Sequence, residues 1–224
     1  MAKIEDLYDL SRENLLFFCR GYAKECNMSQ TGDALYEEII KDPQKYSSWY
    51  PALAPALKIY AGTREELLKS KGGTAYSALK RMIKRMTFSK MQGTWTDSAG
   101  RCCACSGYHA VRLLTPVEGF KEVEGINLDK SYPPVEELDT ELHVPTPGEL
   151  KANKVKDKSN PRRYLYDFGD GLPMVDVRFL TDILDCLPHA KAFIKSSDGE
   201  ESTIWFTSEK GDGILLPVMK RKAT

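Results

Sequence analysis

Residues 1–70 place apolar side chains at the three- and four-residue spacing of amphipathic helices. The segment SRENLLFFCRGYAKEC predicts a helix that begins after an N-cap at Ser11. GDALYEEIIKDP predicts a second, short helix that ends at Asp42-Pro43. TREELLKSKGG predicts a third helix, in which Thr63 and Glu66 form a capping box. The buried face of the first helix is predicted to contain Leu15, Phe18, Cys19 and Tyr22.

The pattern changes at the pair Gly72-Gly73, which predicts a boundary between a helical domain, residues 1–72, and a second domain, residues 73–224. A helix predicted over 75–87 is followed by three short runs typical of strands, with turn signals at Asp97–Gly100 and after Ser106. The second domain therefore opens with a helix and three antiparallel strands.

The same order of elements returns near the C-terminus. MVDVRFLTDILDCLP predicts a short strand that leads into an amphipathic helix over 177–187. The runs KAFIKSS, STIWFTS and GILLPVM predict three more strands, separated by turns at Asp198-Gly199 and at 210–213. Between the two units, residues 116–160 are rich in charge and proline, and predict a long connector with one short helix near 149–154. The fold class predicted from these patterns is α+β.

Two successive strand–helix–three-strand units resemble one domain of a bacterial DNA sliding clamp. VDVRFLTDILDCLP and GILLPVMK are similar to the last helix and the terminal strand of such a domain, and TDSAGRCCACSGYHAVRL is similar to a strand pair of its first unit. The resemblance covers about residues 74–118 and 172–220. It implies one clamp-like domain after the N-terminal helical region. Clamps of this fold close a ring from six such domains, of which this chain supplies one.

Charge is distributed unevenly along a chain whose formal net charge is zero. Residues 71–115 carry eight basic residues and one acidic residue, and residues 116–150 carry two basic and nine acidic residues. The basic block includes SALKRMIKRM, in which apolar positions form one helical stripe and cations project from the other sides. Because clamp helices direct their polar faces at DNA, the resemblance implies DNA-binding residues at Lys80, Arg81, Lys84, Arg85 and Lys90.

Three accounts of this basic helix follow from the residues. The counter-charge is supplied either by DNA phosphates or by the acidic segment 118–141 of the same molecule, and a helix face that is simply solvated fits as well. The second helix carries Asp182 and Asp185 among its polar positions, so one of the two helices is acidic in character.

The terminal strand suggests a second candidate site. Clamps bind short peptides of polymerases beside this strand, and the matching positions here are Leu180, Pro217, Val218 and Met219. Methionine suits adaptable peptide-binding surfaces. The alternative is that these four side chains fill the hydrophobic core.

Cofactors and catalytic groups are not indicated. The run Cys102-Cys103-Ala104-Cys105 lacks the second ligand pair that a structural zinc site needs, and its side chains are expected to pack in a strand. His109, His143 and His189 are the only histidines and stand in no Ser/His/Asp or Cys/His sequence motif. We therefore expect no metal and no enzymatic activity; an enzyme with a site between the two regions is the least supported alternative.

The sequence predicts a non-enzymatic, DNA-associated or replication-accessory binding protein. Its partners are expected to be DNA and a replication protein or peptide, and the alternative is a protein–protein adaptor that binds no nucleic acid. No apolar run is long enough for a membrane span, MAKIEDLYDL lacks the apolar core of a signal peptide, and the crowded cysteines suit free thiols. A cytoplasmic location without membrane association is therefore expected.

Overall fold

A computed structural model describes residues 2–133 and 137–219 of the chain. The chain divides into two compact units, Met1–Gly73 and Thr74–Thr224. It is an α+β protein with an N-terminal helical region and antiparallel sheets. None of the helices in the described ranges is both long and apolar enough to cross a membrane.

The described part of the first unit is built from α-helices that pack around one apolar core. The largest fully buried members of this core are Leu15, Leu35, Ile39, Leu53 and Leu57. The second helix ends at Ile39, before the predicted Asp42-Pro43, and the carboxylate of Asp42 caps the third helix, which begins at Pro43. The helices are α1 (Ile4–Glu25), α2 (Gly32–Ile39), α3 (Pro43–Trp49) and the first part of α4 (Ala54–Arg85).

Two predicted helix starts in this unit are wrong. Ser11 and Thr63 both lie inside helices, and their hydroxyl groups hydrogen-bond each other at 2.7 Å. Ser11 Oγ also contacts the Tyr8 carbonyl oxygen, and Thr63 Oγ1 contacts two carbonyl oxygens of the preceding turn. Each hydroxyl therefore serves a helix–helix contact instead of a cap. Phe18, predicted on the buried face, is 51% exposed.

Helix α4 is interrupted at Gly73, which has φ 56° and ψ −141°. A residue without a Cβ adopts this conformation at no steric cost, so the helical stretch that contains TREELLKSKGG ends at Gly73 and a second helical stretch follows it. The second stretch belongs to the second unit and ends at Arg85.

A seven-stranded antiparallel sheet forms the centre of the second unit. Its strands are β1 (Trp95–Thr96), β2 (Cys102–Cys105), β3 (His109–Leu113), β4 (Thr140–Leu142), β8 (Lys191–Ile194), β9 (Ile204–Ser208) and β10 (Gly211–Leu215). They lie in the order β1-β2-β3-β10-β9-β8-β4. The middle of the sheet is the pairing of β3 with β10, in which His109 lies opposite Leu215 and Leu113 lies opposite Gly211. On one side of this pair lie β1 and β2, and on the other lie β9 and β8.

The second part of α4 and helix α6 (Val177–Cys186) pack on the same face of this sheet. Leu79 and Met82 of α4 share one core with Leu180 and Ile183 of α6. The sheet contributes side chains from alternate positions of its strands, as its period of two requires. These include Ala104, Val111, Leu113, Ala192, Ile194, Ile204, Phe206 and Leu215.

The predicted connector is not a plain linker. Strand β4 joins the edge of the large sheet, and a second sheet is formed by β5 (Val155–Lys156), β6 (Tyr164–Asp167) and β7 (Met174–Asp176). Between them, α5 (Pro147–Ala152) begins with a capping box of Thr146 and Glu149, close to the predicted short helix. Short strands with little apolar alternation carry a weak signal, which is why the sequence predicted a connector here.

The segment 128–132, which precedes β4, covers the face of the large sheet opposite the helices. Arg112 lies 3.4 Å above the Tyr132 ring, and the Trp205 indole donates to the Ser131 carbonyl oxygen at 3.0 Å. Leu128 is buried in a small core with Trp95 and Cys103. This part of the acidic segment 118–141 therefore packs on the strands, where Asp129 binds Arg112, while residues 134–136 of the segment lie outside the described ranges.

Candidate functional site

A cleft of about 870 Å³ opens beside the end of the large sheet. Its walls come from three parts of the second unit: the segment 216–219 after β10, the start of α6, and the loop 157–163 between β5 and β6. Pro217 has no N–H to continue the β ladder, and the Val218 N–H instead donates to the Met174 carbonyl oxygen at 2.7 Å. The segment after β10 is thereby held along β7 as one wall of the cleft.

The cleft is lined by apolar and aromatic side chains that remain open to solvent. Met219 is 59% exposed, Leu216 is 41% exposed, and Tyr108 is 59% exposed while stacked on Phe179 at a centroid distance of 5.4 Å. Leu165, Met174 and Val218 complete the apolar lining. Such a surface is suited to bury large side chains of a partner.

Three cations border this apolar surface: Lys158, Arg163 and Arg178. Arg163 forms an ion pair with Asp157, whose pKa is lowered by hydrogen bonds from the Ser159 backbone and hydroxyl, and then by Arg163. Arg178 binds Asp176 at 2.6 Å, and Asp176 also caps α6. Since Arg163 and Arg178 are the partners of the two acidic side chains of the lining, the border keeps a net charge of +1, which comes from Lys158.

The structure brings three of the four predicted peptide-binding residues together and excludes the fourth. Pro217, Val218 and Met219 line the cleft, whereas Leu180 is 0% exposed and lies in the core under α6. Helix periodicity explains the difference, since Phe179 faces the cleft and the next side chain is rotated by about 100° toward the sheet.

The predicted DNA-binding residues separate into two groups. Lys80, Lys84 and Lys90 are exposed to solvent. Arg81 donates to Asp182 and to Asp185, each at 2.6 Å, and Arg85 forms an ion pair with Asp182. Burial acts to lower the pKa of Arg81, but the bonds to these two carboxylates raise it overall. The counter-charge for the two arginines is therefore supplied by Asp182 and Asp185 of α6, whereas the sequence had left DNA phosphates, the acidic segment 118–141 and solvent open.

Asp182 is also the centre of a buried network that the sequence did not predict. His109 Nε2 lies 3.4 Å from Asp182 Oδ2 but forms no hydrogen bond, and Nδ1 lies 2.6 Å from Ser106 Oγ. The His109 ring stacks on Phe179 at 4.8 Å. Burial lowers the pKa of His109, against the opposing effect of Asp182. A neutral imidazole that accepts from the Ser106 hydroxyl satisfies these contacts.

Ser106, His109 and Asp182 are the residue types of a nucleophilic triad, but their surroundings do not suit catalysis. Ser106 and His109 are each 2% exposed, and Asp182 is 0% exposed and already engaged by two guanidinium groups. Substrate would have no path to the hydroxyl in this arrangement, so the network serves to join β3, α4 and α6.

The cysteines of the CCAC run lie on two faces of strand β2, as the alternation predicts. Cys102 packs in the core under the helices, while Cys103 and Cys105 pack with Trp95 on the opposite face. Burial raises the pKa of Cys103 to about 12, so its thiol is protonated. All six cysteines are free thiols, and among the described residues no three His, Cys, Asp or Glu side chains are arranged to hold a metal ion.

Sequence reasoning missed the aromatic and basic parts of the cleft, namely Tyr108, Phe179, Lys158, Arg163 and Arg178. They come from three segments that lie far apart in the chain, and no local spacing connects them. Comparison of the chain with family models, with curated proteins and with solved structures gives no match.

Proposed function

We propose that this chain is a non-enzymatic accessory protein of DNA replication whose second unit is a sliding-clamp-like domain that docks a short peptide of a partner protein. The observation that carries this proposal is the cleft in which Pro217, Val218 and Met219 stand beside Phe179. Peptide docking needs an open apolar surface with a few polar groups at its border, and this cleft has both.

The arrangement of the second unit supports a clamp-like fold. Strands β1–β3 and β8–β10 form two similar halves, each preceded by a helix, and the halves join through antiparallel β3 and β10. Both helices lie side by side on one face of the joined sheet, linked by the Arg81–Asp182 ion pair. The resemblance of the sequence to a clamp domain requires this placement of the two helices.

The chemistry of the cleft favours a peptide with large apolar side chains and at least one carboxylate. Tyr108, Phe179 and Met219 offer flat or flexible apolar contacts, and methionine adapts to varied partners. Lys158, Arg163 and Arg178 offer donors for an acidic residue or a terminal carboxylate.

Binding of labelled peptides tests this proposal. Overlapping ten-residue peptides that span a bacterial replicative polymerase would be titrated with the full chain and followed by fluorescence anisotropy. We expect at least one peptide to bind, and Met219→Glu to weaken it about ten-fold or more because a carboxylate would then stand on the apolar wall. Leu114→Glu, at a residue 59% exposed and outside the cleft, is the matched control. Binding that is absent, or equal in the Met219 variant, overturns the proposal.

DNA binding is a second candidate, favoured by the exposed lysines of α4. The helix stretch 74–85 carries four cations and no carboxylate. Helix α6 neutralises Arg81 and Arg85, while Lys80 and Lys84 are exposed. Anisotropy with labelled duplex and single-stranded DNA, at low and moderate salt, tests this. Binding should weaken steeply with salt and fall for Lys80→Glu/Lys84→Glu, whereas Lys130→Glu serves as control. If the chain binds no DNA at low salt, the DNA-binding candidate is excluded and peptide docking remains as the proposed function.

A further inference from the structure

Helix α1 of the first unit has two apolar faces, and only one of them is buried. Leu15, Cys19 and Ala23 lie in the core of the unit. On the other side, four large apolar side chains are between 42% and 72% exposed: Leu7, Leu10, Phe17 and Phe18. Four exposed large side chains on a single helix are more than the scattered apolar residues that a monomer surface normally carries.

The exposed residues follow a regular spacing. Positions 7, 10, 14, 17 and 21 alternate steps of three and four, which is the spacing of a helix–helix contact. We name this row the α1 seam: Leu7, Leu10, Asn14, Phe17 and Gly21. A single polar residue within such a row is known to restrict which partners and registers a helix accepts. Gly21 has no atom of another residue within 4 Å of where its Cβ would lie, so this end of the seam is open to a close approach.

A shallow depression of about 260 Å³ runs beside the α1 seam. It is lined by Ser11, Asn14 and Phe18 of α1 and by Ala52, Pro55, Ala56 and Ile59, of which Ile59 is 61% exposed. The apolar surface of the first unit therefore includes a projecting ring, Phe17, and a depression beside it. A surface that carries both a projection and a depression can fit a second copy of itself.

The charges of α1 determine how two copies would pair. Residues 4–13 carry four carboxylates and one cation, whereas residues 14–25 carry two cations and one carboxylate. Of these cations, Arg20 already binds Asp33 at 2.6 Å, which leaves Lys24. Parallel pairing would bring the two acidic halves together, whereas antiparallel pairing separates them and brings Asp6 of one copy toward Lys24 of the other.

We infer that the α1 seam is a self-association surface, on which the α1 helix of a second copy of this chain packs in antiparallel orientation about a two-fold axis near Asn14. The surface lies outside the clamp-like domain and does not depend on the proposed peptide or DNA binding.

Light scattering coupled to size exclusion, carried out on the full chain at increasing concentration, tests self-association. We expect a monomer–dimer equilibrium, and we expect Phe17→Glu and Leu10→Glu to raise its dissociation constant ten-fold or more. Phe88→Glu is the matched control, because Phe88 is 69% exposed and belongs to the second unit. Circular dichroism establishes that each variant remains folded, as expected for exposed positions. A chain that stays monomeric at all concentrations, or a dimer that persists unchanged in the Phe17 variant, overturns the inference.

Charge reversal tests the antiparallel orientation. Asp6→Lys and Lys24→Glu should each weaken the dimer, and the double variant should restore it, because antiparallel copies bring these two positions near each other. The dimer is expected to strengthen at low salt in the wild-type chain and to show the same dependence in the double variant. Double substitution that weakens the dimer by the sum of the single effects contradicts antiparallel pairing.

Discussion

Arg81 of α4 donates from Nε to Asp182 of α6 at 2.6 Å, although the two residues are separated by 101 positions in the chain. The same carboxylate also pairs with Arg85 and lies 3.4 Å from His109, and its own side chain is 1% exposed. One buried carboxylate therefore joins two helices and a strand, and it uses half of the arginine and lysine charge of the basic helix SALKRMIKRM inside the molecule. Lys80 and Lys84 of that helix are exposed.

Removal of the Asp182 charge should destabilise the second unit. Asp182→Asn leaves two guanidinium groups without their shared counter-charge, and breaking a buried pair in this way typically costs about 3–5 kcal/mol. Because Arg81 and Arg85 are 39% and 28% exposed and keep part of their hydration, we expect a loss of about 2–3 kcal/mol in the free energy of unfolding.

Chemical denaturation at neutral pH measures this effect. Asp185→Asn is the control, because Asp185 is 34% exposed and contacts Arg81 through a single ion pair, so its loss should stay below about 1 kcal/mol. Equal destabilisation by the two substitutions would contradict a central role of Asp182.

The second unit should lose stability as the pH decreases from about 6.5 to the pKa that His109 has in the folded chain. Burial lowers the pKa of His109 in the native chain, so the unfolded chain binds the proton first as the pH decreases. The contribution is complete above the unfolded pKa of about 6.5 and is lost as the pH falls toward the folded pKa.

Denaturant titrations at a series of pH values measure this slope, which cannot exceed about 1.4 kcal/mol per pH unit for one proton. The groups that act on His109 are Ser106, Phe179, Asp182, Arg85 and Asp176. His109→Gln keeps a polar group but does not titrate, so the free energy of unfolding of this variant should depend less on pH over this range. An identical pH profile for the two proteins would rule out His109 as the cause.

Replacement of Arg112 by lysine should loosen the segment that covers the far face of the sheet. Arg112 binds Asp212 through two nitrogens at 2.6 and 3.0 Å, binds Asp129 at 3.0 Å, and lies over the Tyr132 ring. Lysine cannot make the paired bonds and the stacking contact together.

We expect Arg112→Lys to reduce stability by about 1–2 kcal/mol and to increase proteolytic cleavage within 127–133. Arg162→Lys, at an exposed arginine, provides the control for limited proteolysis and thermal unfolding. Unchanged cleavage in the Arg112 variant would show that other contacts hold the segment.

Gly211 should not tolerate alanine. It has φ 142°, and a Cβ at this position would lie 2.0 Å from the Arg112 carbonyl oxygen in the central β3–β10 pairing. Relief of this overlap requires the two middle strands to separate, so Gly211→Ala should cost about 2 kcal/mol or more.

Thermal unfolding compares this variant with Gly62→Ala. Gly62 lies inside α4, and no atom stands within 4 Å of the place that an alanine Cβ would occupy, so alanine there should stabilise the chain by about 0.5–1 kcal/mol. Opposite signs for the two substitutions are expected, and a neutral Gly211→Ala would contradict the close strand approach.

Local spacing of apolar residues was sufficient to predict several parts of this protein. It predicted the helical character of the first unit, the strand and helix over 174–187, and the strand–turn–strand runs on either side. These elements could be predicted because apolar residues recur every 3.6 positions in an amphipathic helix and every second position in a strand. The placement of Pro217, Val218 and Met219 at one surface was predicted from a resemblance of sequence to a clamp domain.

Only the tertiary structure decided which charged side chains form ion pairs and which segments form the cleft. The acidic segment could have neutralised the basic helix by composition, but Asp129 binds Arg112 on the opposite face of the sheet, and α6 supplies the carboxylates for Arg81 and Arg85. The cleft likewise combines Tyr108, the start of α6, the loop 157–163 and the segment 216–219, which no local pattern connects. Contacts between residues so distant in the chain depend on how the strands pair and on which face the helices cover, and neither is encoded in the spacing of any single segment.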